Sequence, residues 1–497
     1  MYHKKMIRNR LWICGSSVLF IVIGIILICL RSVMYKSIFS MLLTMEPGSF
    51  SFTMWRENPI PLTLQVYLYN WTNPEQLFNR TVKPHFKQLG PYVFDETKKK
   101  VNITWHKNDT VSYYYLKRWW FNEAKSTNNL TDLVTSIAPV KMTTATVAKD
   151  WNIFAKKSIS FYLTSLGSKI YDTHAAGDIL FNGYDDPIIN LSHKLPMFAA
   201  PDLPGFDKFG WFYTRNDSRT YEGLFNMGVG RSTKLGELYA WKDMKQTPFY
   251  PGHCGKVEGS GGDFFQTNLK KDTVIKMFSP DMCRFIEFEF EKEEIVGGIL
   301  GYKYSVGKRV LDNGTKITDR KCFNKDPNVR SGIVDISACR YGSPAYVSLP
   351  HFHKADPFYT TAIEGLQPDD DIHNFFMTFE PTTGIPLKVA ARLQLNLKLQ
   401  PIPSIRMYEN APTTYIPVLW FEQVAIIPGY MTFLLQVFLR LENLILGLGI
   451  FITMSAVLLQ IYTCRKLYTT KVFEDPEIIT REQVPLTLKN KEVEISR

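Results

Sequence analysis

Two charge-free apolar runs bracket this chain and constrain everything between them. Leu11 to Leu30 is twenty residues long and Asn443 to Cys464 twenty-two. At ~1.5 Å per residue, each covers the ~30 Å hydrocarbon core of a bilayer. The first exceeds the apolar core of a signal peptide, and Arg31-Ser32-Val33-Met34 offers no small-residue cleavage site, so an uncleaved anchor is predicted. Lys4, Lys5, Arg8 and Arg10 precede the first run, while Arg465, Lys466 and Lys471 follow the second. That basic excess places both termini in the cytoplasm. The predicted organisation is a cytoplasmic tail (1–10), a membrane helix (11–30), an extracellular or lumenal domain (31–440), a second helix (441–463) and a second cytoplasmic tail (464–497).

The intervening segment has the chemistry of an oxidising compartment. Glycosylation sequons stand at Asn70, Asn79, Asn102, Asn108, Asn129, Asn190, Asn216 and Asn313, and none falls in the tails. Of the seven cysteines, Cys254, Cys283, Cys322 and Cys339 lie in the loop, which predicts two disulfides with three pairings open. Cys14 and Cys29 lie in the first apolar run. Cys464, beside Arg465 and Lys466, is a palmitoylation candidate, as is Cys14. In the tail, Glu474 with Ile478 and Ile479 has the form of an acidic di-leucine sorting signal carrying isoleucines.

Within the loop, no period of 20–50 residues repeats, and one large domain is predicted. Leu64, Val66 and Leu68 alternate with Gln65, Tyr67 and Tyr69. From Leu387 to Leu399 every odd position is apolar, while Arg392, Gln394, Asn396 and Lys398 face away. One apolar and one wet face predict antiparallel sheet, curled or barrel-like. Lys98-Lys99-Lys100 reads as a solvated hairpin. Ser331 to Phe352 reads as two strands about the turn Tyr341-Gly342-Ser343-Pro344. Helix is expected from Asn128 to about Ala176, with Phe154, Tyr162, Leu166 and Ile170 as a packed stripe beside Ile159 and Leu163, and Lys156 and Lys157 on the polar side.

Catalytic constellations are poor. No nucleophile elbow, phosphate loop, dinucleotide fingerprint or H-E-x-x-H is present. His351-Phe352-His353, with Asp369-Asp370-Asp371 and His373, is weak evidence for a metal, so no catalytic residue, metal or cofactor is assigned and no enzyme is expected. Of the net charge of +11, about +7 falls to the loop once the tails are set aside, a mild bias toward anionic ligands or surfaces. Lys117-Arg118-Trp119-Trp120 reads as a solvated face, and an outward-facing loop argues against nucleic acid as a partner.

Gly332-Ile333-Val334-Asp335-Ile336-Ser337-Ala338-Cys339, Gly342-Ser343-Pro344 and Ser348-Leu349-Pro350-His351-Phe352 resemble the class B scavenger receptors. The resemblance extends from Asn73-Pro74-Glu75 and Gly90-Pro91-Tyr92, through Phe278-Ser279-Pro280-Asp281-Met282-Cys283-Arg284, to Glu380-Pro381-Thr382-Thr383-Gly384 and Pro417-Val418-Leu419-Trp420. It implies an α+β membrane protein, in which two membrane helices flank an antiparallel β-barrel with an apical helical bundle (about 128–176) and a lipid-conducting tunnel. It implies the pairings Cys254–Cys322 and Cys283–Cys339, and ligand contacts at the apex from Phe154, Lys156, Lys157, Tyr162 and Lys169. The paired lysines that contact ligand in the fatty-acid translocases fall near Leu166 and Ser168 here, so that contact does not carry over.

The expected function is a cell-surface receptor for lipids, lipoproteins or particles, including apoptotic cells or microbes, that transfers lipid to the membrane or mediates uptake. It is expected at the plasma membrane, with homo-oligomers compatible. The alternatives are an endosomal or lysosomal sorting receptor for a cargo protein and a sensory co-receptor for lipophilic odorants.

Overall fold

Helix runs unbroken from Tyr2 to Leu42 and again from Leu441 to Glu474, in a computed structural model that describes residues 2–194, 207–324 and 326–474. Both helices outrun their charge-free cores because no breaker intervenes; the first ends just short of Glu46-Pro47-Gly48. Leu11–Leu42 and Leu441–Thr469 are long and apolar enough to cross a membrane. Together with flanking residues they form one unit, and Leu42–Thr432 forms a second.

Close approach in the helical unit depends on glycine. A Cβ on Gly24 would lie 2.9 Å from the Gly449 carbonyl oxygen, and one on Gly449 would lie 3.0 Å from that of Gly24. Small residues that let backbones touch are the usual means of helix association in lipid. Nearby, the buried Ser17 hydroxyl donates to Gln460, whose Nε2 donates to Cys14 Sγ at 3.0 Å.

The second unit is built on a thirteen-stranded sheet. Its main path runs from Leu238–Trp241 through Phe225–Gly228, Thr110–Phe121, Phe86–His106 and Leu62–Trp71 to Thr414–Ile426. It continues through Pro386–Leu399, Phe376–Phe379, Ile299–Val306 and Arg284–Val296 to Ile275–Ser279. All of these pairs are antiparallel. The two outer edges meet through one short segment. Leu238 N donates to Gly259 O, Ser260 N to Lys276 O and Phe278 N to Ser260 O, each at 2.9 Å. Gly259 is obligatory at this join: its φ is +90°, and a Cβ there would sit 2.7 Å from the Lys276 carbonyl. Closing the edges removes the unpaired backbone groups that an open sheet exposes.

The Ser331–Phe352 stretch folds as Ile333–Asp335 paired antiparallel with Ala345–Ser348, which joins Pro386–Leu399. Disulfides link Cys283 to Cys339, tying an earlier loop to this hairpin, and Cys254 to Cys322 just ahead of it. Leu64, Val66 and Leu68 are all buried, each contributing roughly 1.5–3 kcal/mol.

Three expectations change. Lys98, Lys99 and Lys100 lie inside the Phe86–His106 strand rather than in a solvated hairpin, and the Lys100 side chain has no exposed surface. The polar face of Pro386–Leu399 is not wet: Gln394 and Asn396 are fully buried, and Lys398 pairs with Asp326 at 2.5 Å. The excursion between Leu349 and Phe376 lies over that face, with His351 N donating to Gln394 Oε1 at 2.7 Å. Residues 128–176 are only partly helical. Helices Pro139–Ala148 and Ile153–Ser165 are held between the paired strands Leu133–Ile137 and Tyr171–Ala175.

Candidate functional site

The helical insertion presents a different face from the one its sequence suggests. Asn152 caps the second helix, its Oδ1 accepting from Ala155 N at 2.9 Å. Leu163 is fully buried and Ile159 packs on the core, whereas Phe154 is 80% exposed. Leu166 follows the helix end and Ile170 lies beyond it, so the expected stripe divides between two sides. Phe154 and Phe161, seven residues apart, project outward with Ile153 and form an exposed apolar face. Sequence reasoning missed Ile153 and Phe161; the visible signal is a second apolar spacing on the same helix.

Among the candidate contact residues, Lys157 is exposed. Lys156 Nζ donates to Lys149 O at 3.3 Å, and Tyr162 OH to Pro187 O at 3.2 Å. Lys169 is engaged by Glu75 at 3.1 Å and by the Tyr171 hydroxyl at 2.9 Å. Ser160 Oγ accepts from Arg406 N at 2.9 Å, and Thr143 Oγ1 donates to Ser343 Oγ at 3.0 Å, which anchors the insertion on the sheet's loops.

Inside the sheet, the long Pro386–Leu399 strand inverts the usual order. Its apolar residues Val389, Ala391, Leu393 and Leu395 remain half-buried while Gln394 and Asn396 are sealed off. Leu393 borders an apolar void of about 10 Å³, shared with Ile286, Val306, Val347, Leu349 and Phe375. Pro386–Leu399 is hydrogen-bonded to neither the Ile286 strand nor the Val306 strand, and the void lies between them. It has room for about one water.

Behind the strand lies a closed polar network. Tyr69 OH donates to Gln394 Oε1 at 2.7 Å, Gln394 Nε2 to Asn396 Oδ1 at 2.7 Å, and Asn396 Nδ2 to Ser348 Oγ at 3.0 Å. His351 and His373 stack with ring centroids 4.3 Å apart. Burial, reinforced by their mutual repulsion, pushes His351 down to about 3; burial pushes His373 down to about 4. Both rings are therefore neutral, and each Nδ1 accepts a backbone N–H, from Gln367 at 3.0 Å and Asp369 at 2.9 Å. His353 instead meets Asp370 at 2.9 Å. His351 sits in a short 3₁₀ turn with φ 54°, so the two histidines of His351-Phe352-His353 do not share a strand face. His253 lies beside Cys254 and Cys322, but those sulfurs are bonded to each other and supply no thiolate ligand.

Comparison with known proteins assigns this architecture. A family model described as the CD36 family matches residues 15–466. The chain belongs to the CD36 family. Its relatives include Protein peste of Drosophila melanogaster, 36% identical over 387 residues that cover 77% of this chain and 69% of that one. Scavenger receptor class B member 1 of Bos taurus is 28% identical over 461 residues, covering 90% and 89%. Lysosome membrane protein 2 of Homo sapiens is 28% identical over 385 residues, covering 77% and 78%. This CD36-family chain has the two apolar helices, the closed antiparallel sheet and the helical insertion anticipated from the motifs.

Proposed function

We propose that this CD36-family chain is a cell-surface scavenger receptor. It takes up lipids, lipoproteins or lipid-bearing particles and passes lipophilic ligand along the concave face of its sheet to the membrane. The observation that carries this reading is the half-buried Val389, Ala391, Leu393 and Leu395 stripe beside fully buried polar neighbours. An apolar surface kept reachable inside a closed sheet suits an acyl chain, whose exposure to water costs ~0.8 kcal/mol per CH₂. Transfer of this kind needs no covalent step, no metal and no cofactor. The test is mass spectrometry of the full chain purified in nanodiscs of one synthetic phospholipid. About one mole of a different lipid per mole of protein is expected; recovery of the scaffold lipid alone would rule the reading out.

A second reading, a sorting receptor for a cargo protein, is favoured by the exposed Ile153, Phe154 and Phe161 face. Its sorting signal would be Glu474, Ile478 and Ile479; the isoleucines lie outside the described residues. In both readings residues 31–440 face the exterior or a lumen and both tails are cytoplasmic. Cys464 is exposed and suits acylation, whereas Cys14 accepts a hydrogen bond from Gln460 and suits it less.

The sequons divide on the same grounds. Asn79, Asn102, Asn108, Asn129, Asn190 and Asn216 are exposed, and Asn70 is half-buried. Asn313 is 8% exposed, and its Nδ2 donates to the Arg330 carbonyl at 2.6 Å. The same nitrogen also donates to the Val329 carbonyl at 3.3 Å, so a glycan would replace one of its two donated hydrogens and need space that the buried side chain lacks. Glycopeptide mapping of the folded chain is therefore expected to find Asn313 unoccupied; a high occupancy there would contradict the local structure.

A further inference from the structure

A cleft of about 390 Å³ lies where the loops around Arg215, Lys242, Asp281 and Arg340 meet. Its charges do not balance. Glu222 is matched by Lys117, and Asp281 by Arg215 at 2.9 Å. Arg340 also reaches Asp281, at 3.4 Å. Lys242 meets no carboxylate among the described residues; burial, with the like charge of Arg340 added to it, lowers its pKa. Lys117, Arg215, Arg340 and Lys242 thus share two carboxylates, which leaves a surplus of positive charge around the cleft.

Lys242 and Arg215 are held by rings. Lys242 Nζ lies 4.6 Å from the Trp241 ring centroid, and Arg215 Cζ lies 4.8 Å from that of Tyr221. Phe249 adds a further apolar wall. Ser218 Oγ accepts from Tyr221 N at 3.2 Å, which leaves its own proton to donate. Four residues lining the cleft hold left-handed backbone without being glycine: Thr214 (φ 66°), Lys242 (51°), Cys283 (54°) and Tyr341 (56°). For β-branched Thr214 this is strain, and such strain gathers where binding needs a fixed geometry. The Cys283–Cys339 disulfide pins two of the loops together.

We propose that this cleft is a binding site for an organic phosphate, its headgroup held between Lys242 and Arg340 and its apolar body against Tyr221, Trp241 and Phe249. The site goes beyond lipid passage through the sheet, and binding there is measurable without any transfer assay. Headgroup of a phospholipid and free phosphate share this chemistry, and the probes separate them.

The test is calorimetry on the full chain in maltoside micelles with hexyl phosphate, inorganic phosphate and hexanol. Hexyl phosphate is expected to bind more tightly than inorganic phosphate, and hexanol to give only the heat seen with empty micelles. Lys242→Met keeps the methylene stem that crosses Gly223, and is expected to weaken hexyl phosphate roughly tenfold, the size of one lost charge-assisted bond. Lys242→Arg should retain binding. For the unaltered chain, raising the salt from about 50 to about 500 mM should weaken binding several-fold, a check that requires no variant. Absence of hexyl phosphate binding, indifference to salt, or equal affinity in a folded Lys242→Met chain would overturn the site. Equal affinity for inorganic phosphate would overturn its assignment to an organic ligand, and equal affinity for hexanol its assignment to an anion.

Discussion

Replacing Asp263 by alanine is expected to destabilise the large unit by ~3–5 kcal/mol, the usual cost of stranding a buried charge. Lys100 Nζ has two partners, Asp263 Oδ1 at 2.9 Å and the Trp55 carbonyl at 2.6 Å. Lys98 lies 3.9 Å from the same carboxylate, and Tyr115 OH donates to its other oxygen at 3.0 Å. Burial pushes Lys100 down to about 8 even with Asp263 in place. Without the carboxylate, folding must bury an ammonium or strip its proton. Lys100→Met/Asp263→Ala removes both charges and should recover most of the loss in denaturant midpoint.

The sign of the pH dependence follows. A lysine whose folded pKa lies below its ordinary value leaves the unfolded chain binding more protons between about 8 and the usual ~10.4. Its penalty is therefore fully present below pH 8 and eases as pH rises, so the Asp263→Ala chain should regain stability toward alkaline pH. A single variant as stable as the parent, or a double variant no better than the single, would show that this cluster does not govern stability.

Leu393→Trp should reduce lipid transfer by more than tenfold at equal surface level. Leu393 lies on the proposed path beside a void of about 10 Å³, and an indole there exceeds that void and projects into the path. Overpacking costs ~1–3 kcal/mol, which a unit of this size tolerates. Leu393→Ala is the control, since it widens the same point and should leave transfer intact or faster. The readout is uptake of a fluorescent lipid in cells. Undiminished transfer by a folded, surface-exposed Leu393→Trp chain would exclude passage along this face.

Much of the fold was legible because its signals are local. Alternation at Leu64, Val66 and Leu68 and the odd-numbered apolar row from Leu387 each report a strand without reference to the rest of the chain. What covers the other face of such a strand is not local. Gln394 and Asn396 have the appearance of solvent-facing residues, and only the distant segment carrying His351 makes them core. Lys100 misleads in the same way, since a run of three lysines suggests water until Asp263 arrives from 163 residues further on. The helix stripe failed for a different reason: Phe154 and Leu163 are both apolar, and periodicity cannot say which of two apolar faces packs inward. The cleft around Lys242 was invisible because its charges come from four separate loops.

Leu62–Trp71, the first strand after the leading helix, is flanked by Phe86–His106 on one side and by Thr414–Ile426, the last strand of the chain, on the other. During synthesis, the second neighbour of Thr63 is Val424, and some 360 residues must be made before it exists. At ribosomal rates of ~5–20 residues per second, that is a wait on the order of 20–70 seconds with one strand edge open. The pairing of first strand with last is thus among the latest that the nascent chain can make. Until then, that edge carries unpaired backbone groups that could pair with another chain.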